Sequence, residues 1–333
     1  MGITIKQLSE MSGYSCSTIS RVITNKGNVK AETREAVERL LMEQNYRTNV
    51  MELRMAGINQ RTIMIIVGDL DNWFYMEMIR GIQRRVAEEG YISVIGYSDN
   101  EEKAENEYVQ MAYQESYAGI MFINVKGDSI LKQMLMQNKC PVVFLNRSVR
   151  FVDLDTVCSD NYQGGYMATN YLIEMGHRKI AHLTGSLYSS VTFERMRGYE
   201  DAMRDAHCVI SKHSLFYGDL KRESGYQFGR QLAEKGWDFT AVFCGNDLMA
   251  VGLLEALEEY GIQVPEEVSI VCYDDTPIAE KAKIHLTTVG VEASRMGKVA
   301  SEMLLSRIAG ENIESRTISF KPKMTIRDSV RKI

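Results

Sequence analysis

No run of the 333-residue chain reaches the roughly 18 consecutive apolar residues of a membrane span, and the N-terminus, MGITIKQLSE, lacks the basic-then-apolar order of a secretory signal. The six cysteines (Cys16, Cys140, Cys158, Cys208, Cys244, Cys272) stand far apart with no CxxC, a spacing that suits neither a zinc site nor a dense disulfide scaffold. The five histidines (His177, His182, His207, His213, His285) show no HxH, HExxH or i,i+4 spacing, which argues against a metal site. GxGxxG, GxxxxGK[ST] and GxSxG are absent, so dinucleotide, P-loop and hydrolase-elbow chemistry have no support. There is no internal repeat, low-complexity tract or coiled-coil heptad run. With 45% hydrophobic and 25% charged residues the chain is neither disordered nor fibrous. Its length is about twice the ~150-residue prior for one domain, so two or three domains are expected, with enough buried apolar surface to need no staple. A soluble, cytosolic (cytoplasmic) protein without a cofactor is expected.

The net charge of −5 is unevenly spread. Residues 1–60 carry eight Lys and Arg against six Asp and Glu, a net of +2, which leaves −7 on the remainder. A mildly basic head on an acidic body is compatible with DNA contact through the head alone.

Residues 1–46 read as three helices. Thr4 with Gln7 is a capping-box signature, after which Ile5, Leu8 and Met11 mark one face. Gly13 breaks that helix, Ser15 can cap the next, and Ile19, Val22 and Ile23 are its apolar positions. A third helix, Ala31 to Asn45, turns Val37, Leu40 and Leu41 inward. Two short helices joined by a glycine turn and braced by a third make a helix-turn-helix. The second helix then places Cys16, Ser17 and Arg21 outward, where Arg21 can bond guanine bidentately and Thr18 or Ser20 can bind phosphate. The bland alternative is a small helical bundle with a solvated arginine.

Residues 47–61 join head to body. Asn49 with Glu52 is a second capping box that allows a short helix from Val50 to Ala56, although pattern alone favours a flexible linker. From Thr62 onward, β-rich runs (TIMIIVGD, YISVIGY, GIMFIN, PVVFLN, KIAHLTG, AVFCGND, VSIVCYDD) alternate with amphipathic helices. Several of these helices end in glycine, at Gly90, Gly176, Gly236 and Gly261, as left-handed caps would. The alternation predicts βαβ units, and about a dozen strand candidates predict two doubly wound parallel-sheet subdomains in an α/β body. Ligands of such folds bind at the carboxyl ends of strands, where Asp69, Asn124, Asn146, Asn246 and Asp274 lie.

Single residues leave alternatives open. The carboxylate pairs Asp274–Asp275 and Asp153–Asp155 finish strands more readily than they perform acid–base work. Arg195 can anchor hydroxyls or carboxylates, or sit in a surface ion pair. Trp73, Phe74 and Tyr75 can wall a sugar ring or pack under the first helix of the body. Cys244 and Cys272 read as small buried apolar residues.

Taken together, the segments TIKQLSEMSGYSCSTISRVITNKGNVKAETREAVERLLMEQNYR, SDNYQGGYMATNYLIEMGHRKIAHLTG, ERMRGY, GNDLMAVGLLEALEEYGIQVPEEVSIVCYDD and LTTV resemble the lactose-repressor (LacI/GalR) family of bacterial transcription regulators along nearly the whole chain. The resemblance implies a headpiece at 1–46, a hinge at 47–61 and a body at 62–333 similar to a periplasmic sugar-binding protein. Its first subdomain would cover about 62–158 and 291–320, and its second about 159–290 and 321–330. It implies DNA contacts from Thr4, Ser15, Cys16, Ser17, Thr18, Ser20, Arg21 and Asn25, and hinge roles for Asn49, Met51, Met55 and Ala56, with Met55 where the family wedges a leucine into the central base step. Effector contacts would come from Asp69, Trp73, Phe74, Asn124, Asn146, Arg195, Asn246 and Asp274. The sequence departs from the family at Thr48 (usually proline), Glu52 (small), Trp73 (proline), Asn146 (aspartate) and Val291 (glutamine).

The expected function is therefore a homodimeric, sequence-specific DNA-binding repressor of sugar-metabolism genes, acting on palindromic double-stranded operator DNA and controlled by a small sugar-like effector. A solute-binding protein without a role on DNA and an α/β enzyme are the competing classes.

Overall fold

The computed structural model describes residues 4–23, 29–44, 59–126, 129–137, 140–147, 153–187, 189–211, 213–236, 238–311 and 314–333. The expectations placed on Asn25, Thr48, Asn49, Met51, Glu52, Met55 and Ala56 lie outside these residues.

The headpiece helices are α1 (Ile5–Ser12), α2 (Cys16–Ile23) and α3 (Ala31–Glu43). The capping box at the start of α1 is present: Thr4 Oγ1 accepts from the Gln7 N–H at 3.3 Å, and the Thr4 N–H donates to Gln7 Oε1 at 2.8 Å. Gly13 ends α1 in the left-handed region at φ 72°. Ser15 Oγ accepts from the Thr18 N–H at 3.1 Å and so caps α2. Leu8, Ile19, Val22, Ile23, Val37 and Leu41 close a small core, with Leu40 half-buried beside it. Met11 departs from its expected face and is 55% exposed. Each three-residue step along a helix falls about 60° short of a full turn, so the second step from Ile5 carries Met11 off the stripe.

The body holds two six-stranded sheets. The first runs β11 (Thr317–Phe320), β5 (Asp155–Ser159), β4 (Val142–Leu145), β3 (Gly119–Ile123), β1 (Thr62–Val67), β2 (Ile92–Tyr97), all parallel. The second runs β12 (Lys323–Thr325), β10 (Thr287–Gly290), β9 (Ser269–Tyr273), β8 (Ala241–Cys244), β6 (Ile180–Thr184), β7 (Leu215–Tyr217). It is parallel except at one edge, where β12 pairs antiparallel with β10, a departure from two purely parallel sheets. The chain passes between the sheets after β5, after β10 and after β11.

Helices cover both faces of the sheets, which is why the strands read as continuous apolar runs. β1 is buried at all six positions. Ile63, Ile65 and Val67 face helices Trp73–Glu88 and Ala293–Ile308, while Met64 and Ile66 face helix Glu102–Gln114 and its neighbour Ser129–Gln137. Helices Asn161–Glu174 and Ser190–Asp205 cross closely on the second sheet because glycine stands at the contact on each. A Cβ on Gly165 would lie 2.1 Å from the Arg195 carbonyl oxygen, and one on Gly198 would lie 2.2 Å from that of Tyr162. Of the four glycines expected as left-handed caps, Gly236 differs, combining φ 87° with an extended ψ of 140°. No helix among the described residues is long and apolar enough to cross a membrane.

Candidate nucleic-acid interface and ligand cavities

On α2 the apolar spacing sends Ile19, Val22 and Ile23 into the core and leaves Ser17 and Arg21 exposed on the opposite side, with Cys16 exposed at the helix start and its thiol 4.0 Å from the Ile5 carbonyl. Thr18 and Ser20 are half-buried along its flank. The Ser15 hydroxyl is engaged within the turn, 2.9 Å from both Ser17 Oγ and Thr18 Oγ1. Thr4 is exposed at the start of α1. The exposed row of small polar residues and one arginine is free of bulk that would hold it away from a groove.

In the body, the carboxyl ends of the strands carry polar residues in left-handed backbone: Asn124 at φ 61° after β3, Asn146 at φ 66° after β4, and Asp274 at φ 107° after β9. Asn and Asp tolerate this region better than other side chains, and the sharp turn leaves the strand end open. Asn124 Nδ2 donates to Asn100 Oδ1 at 3.2 Å, and Asn100 Nδ2 donates to the Gly68 carbonyl at 2.9 Å. Asn146 is buried, and its Oδ1 has no hydrogen-bond partner among the described residues.

Arg195 is buried rather than paired at the surface. Its Nε donates to Asn161 Oδ1 at 2.9 Å, Nη1 to the Gly245 carbonyl at 2.6 Å and Nη2 to Asp274 Oδ1 at 3.2 Å, with the guanidinium 3.5 Å above the Tyr273 ring. Arg195 and Asp274 are partners in one cluster on the second sheet. Burial raises the Asp274 pKa, the Arg195 charge opposes that rise, and the nearby Asp247 carboxylate adds to it.

Asn246 is occupied in the fold. Its Oδ1 accepts from the Met249 N–H at 3.0 Å, capping helix Asp247–Glu259, and its Nδ2 donates to the Leu220 carbonyl at 2.8 Å. The next residue, Asp247, is buried and accepts from the Thr276 N–H (2.7 Å), Thr276 Oγ1 (2.8 Å), Thr288 Oγ1 (3.2 Å) and the Cys272 thiol (2.9 Å). Cys272 is therefore more than an apolar filler: its thiol is a donor, held protonated by burial and by the Asp247 charge. Asp69 Oδ1 accepts from the Asp71 N–H at 2.8 Å, forming the turn that brings Asn72 to cap helix Trp73–Glu88. Asp155 opens β5 instead of ending a strand, and meets Arg307 bidentately at 2.9 and 3.0 Å.

Two cavities receive the remaining candidates. One, of about 410 Å³, is lined by Tyr75, Asn100, Asn124, Lys126 and Arg147 from the first-sheet side and by Ser186, Ser189, Thr192 and Asp219 from the second. The other, of about 520 Å³, lies beside the inter-sheet crossings and takes Phe74, Asp274 and Val291. The expected set is thus divided between two spaces. Phe74 and Tyr75, adjacent in sequence, face different ones, and Trp73 is exposed with Arg80 5.8 Å from its ring centre. Tyr75 stands between them electrically: burial first, then the Asp274 charge, pushes its phenol above the ordinary range, while Arg195 pulls the other way. The sequence reading named Tyr75 only as part of an aromatic wall and passed over Lys126, Arg147 and Asp219. The basic residues after GIMFIN and PVVFLN were the available signal.

Residues 4–49 match the family described as bacterial regulatory proteins, lacI family, and residues 169–330 match the periplasmic binding protein-like domain. The HTH-type transcriptional repressor PurR of Erwinia tasmaniensis is 32% identical over 329 residues, 98% of this chain and 96% of its own. PurR of Vibrio atlanticus is 31% identical over 329 residues, 98% of both chains. The solved complex of the transcriptional regulator CelR with cellobiose superimposes with a TM-score of 0.74 at 30% identity, covering 98% of this chain and 99% of that one. The chain belongs to the lacI family of bacterial regulatory proteins and is a DNA-binding transcriptional repressor with a periplasmic-binding-protein-like ligand domain.

Proposed function

We propose that this repressor acts in the cytoplasm as a homodimer on a two-fold symmetric operator, and that a small sugar held between the two sheets changes its operator affinity without being turned over. The observation that carries this reading is the cavity of about 410 Å³ walled from both sheets by amide, hydroxyl and charged side chains. A ligand touching both walls favours one relative setting of the subdomains, and it shifts DNA affinity by the difference in its affinity for the two settings, reciprocally. Convergent hydrogen-bonding groups beside the Tyr75 ring suit a sugar. The complex of CelR with cellobiose supports the same class.

On the DNA side, Cys16, Ser17 and Arg21 read base edges. Thr4, Ser15, Thr18 and Ser20 contact backbone phosphates, and residues 47–61 act as the hinge. The test is selection of DNA from a random pool by the purified chain, followed by gel shift with cellobiose, ribose or hypoxanthine added. A dyad-symmetric site whose binding responds to a sugar supports the reading. A selected sequence without a dyad contradicts the dimer, and a response to hypoxanthine alone contradicts the sugar.

A further inference from the structure

We propose that the ligand of this repressor carries an anionic group, a carboxylate or a phosphate, held in the 410 Å³ cavity by Lys126, Arg147 and the N-terminus of helix Ser190–Asp205. This rests on the reading of that cavity as the effector site.

The two cations stand on neighbouring strand ends, Lys126 beyond β3 and Arg147 beyond β4, and both line the cavity. Their backbone is held in place. Glu105, 1% exposed, accepts from the Lys126 N–H at 2.7 Å, and the Lys126 carbonyl accepts from Arg147 Nη2 at 3.4 Å. A buried carboxylate thus holds the Lys126 backbone, to whose carbonyl the Arg147 guanidinium is bonded. Lys126 Nζ lies 4.0 Å from Glu102 in an exposed pair, a contact that costs little to exchange for a ligand.

The opposite wall is built for the same charge. Helix Ser190–Asp205 starts at Ser189, a residue type that commonly caps a helix, yet the Ser189 side chain makes no cap hydrogen bond. Ser189, Val191 and Thr192 line the cavity, so the first-turn N–H groups and the positive end of a 16-residue helix open toward it. Tyr75 adds a third donor. It is 5% exposed and lines the cavity. Burial keeps that phenol protonated, as a donor to an anionic oxygen must be.

Charge distinguishes the two cavities. Among the described residues lining it, the 410 Å³ space has Lys126 and Arg147 against Asp219. The 520 Å³ space has Glu77, Asp274, Asp275 and Glu292 against Arg295, Lys321 and Lys323. A sugar acid and a sugar phosphate present the same recognisable group.

Calorimetric titration of the full chain with matched series tests this: glucose, glucuronate and glucose 6-phosphate, then ribose and ribose 5-phosphate. An anionic member is expected to bind at least about tenfold more tightly than its neutral parent, the scale of a charge-assisted hydrogen bond. The better of glucuronate and glucose 6-phosphate identifies the group. Arg147→Gln and Lys126→Gln should each shrink that preference, Arg147→Lys should restore part of it, and thermal melting reports whether each variant folds. Equal binding of neutral and anionic members overturns the proposal but leaves the effector site standing. A preference that survives both substitutions also overturns it. Binding by no member overturns both readings.

Discussion

Arg195 and Asp274 meet at 3.2 Å with their side chains only 4% and 6% exposed, inside the second subdomain. The same guanidinium also holds Asn161 and the Gly245 carbonyl, so it ties helix Asn161–Glu174 and the end of β8 to the end of β9. This arginine positions the end of β9, where Asp274 lines the 520 Å³ cavity.

Arg195→Ala should therefore destabilise the body as well as affect ligand response. It leaves Asp274 buried without its partner, which costs about 3–5 kcal/mol. Urea unfolding of the variant measures this. A loss under about 1 kcal/mol would show the pair to be solvated and structurally idle.

Gly165→Ala should displace the same arginine from behind. The added methyl would lie 2.1 Å from the Arg195 carbonyl, so helices Asn161–Glu174 and Ser190–Asp205 must move apart. Overpacking of this kind costs about 1–3 kcal/mol. A melting temperature equal to that of the unaltered chain would mean the two helices cross less closely than described.

His182 gives the body an acid-side weakness. It is fully buried, stacks 4.4 Å from Phe243, and bonds the Phe243 carbonyl through Nδ1 at 2.9 Å, while Nε2 finds no partner. Burial pushes its pKa down to about 4 from an ordinary value of 6.5. The neutral ring's contribution is whole above pH 6.5 and is lost as pH falls through that value toward 4, up to about 3 kcal/mol. Asp247 and Asp274, both raised by burial, take up protons in the folded state at mildly acid pH and act in the opposite sense. Comparison with His182→Asn isolates the histidine: the variant's stability relative to the parent should rise as pH drops from 6.5 to 4. A difference that stays constant across that window would remove His182 as its source.

Arg21→Ala should relax base preference at one position of each operator half-site and cost about 1–3 kcal/mol per bidentate contact. If the dimer neutralises roughly 6–10 phosphates, affinity for the parent site should fall about 10³–10⁵-fold between ~50 and ~200 mM salt. Gel shifts across a library of single-base operator variants check the first expectation, and a salt titration checks the second. An unchanged base preference would strike Arg21 from the reading residues.

The helix starts were legible because capping is local. Thr4 and Gln7 lie one turn apart and need nothing beyond the helix they begin. Met11 lies off the buried stripe because two three-residue steps from Ile5 rotate it about 120° away, so local helix geometry settles its exposure. What Asn246 bonds within the fold was not legible, for a different reason. An amide after a strand serves equally as a ligand contact or a helix cap, and only the Met249 N–H and the Leu220 carbonyl beside it decide for the cap.

The amino-acid order by itself determined the three-helix headpiece, the alternation of strands and helices, and the row of Asn and Asp at strand ends. Each follows from period, capping and backbone preference over a few residues. Tertiary structure alone decided that Arg195 and Asp274, 79 residues apart, are partners. It also decided that Phe74 and Tyr75 face separate cavities and that Lys126 and Arg147 share one. These relations depend on where the chain crosses between two sheets, and electrostatics in a buried site is set by distance through space, to which separation along the chain is no guide.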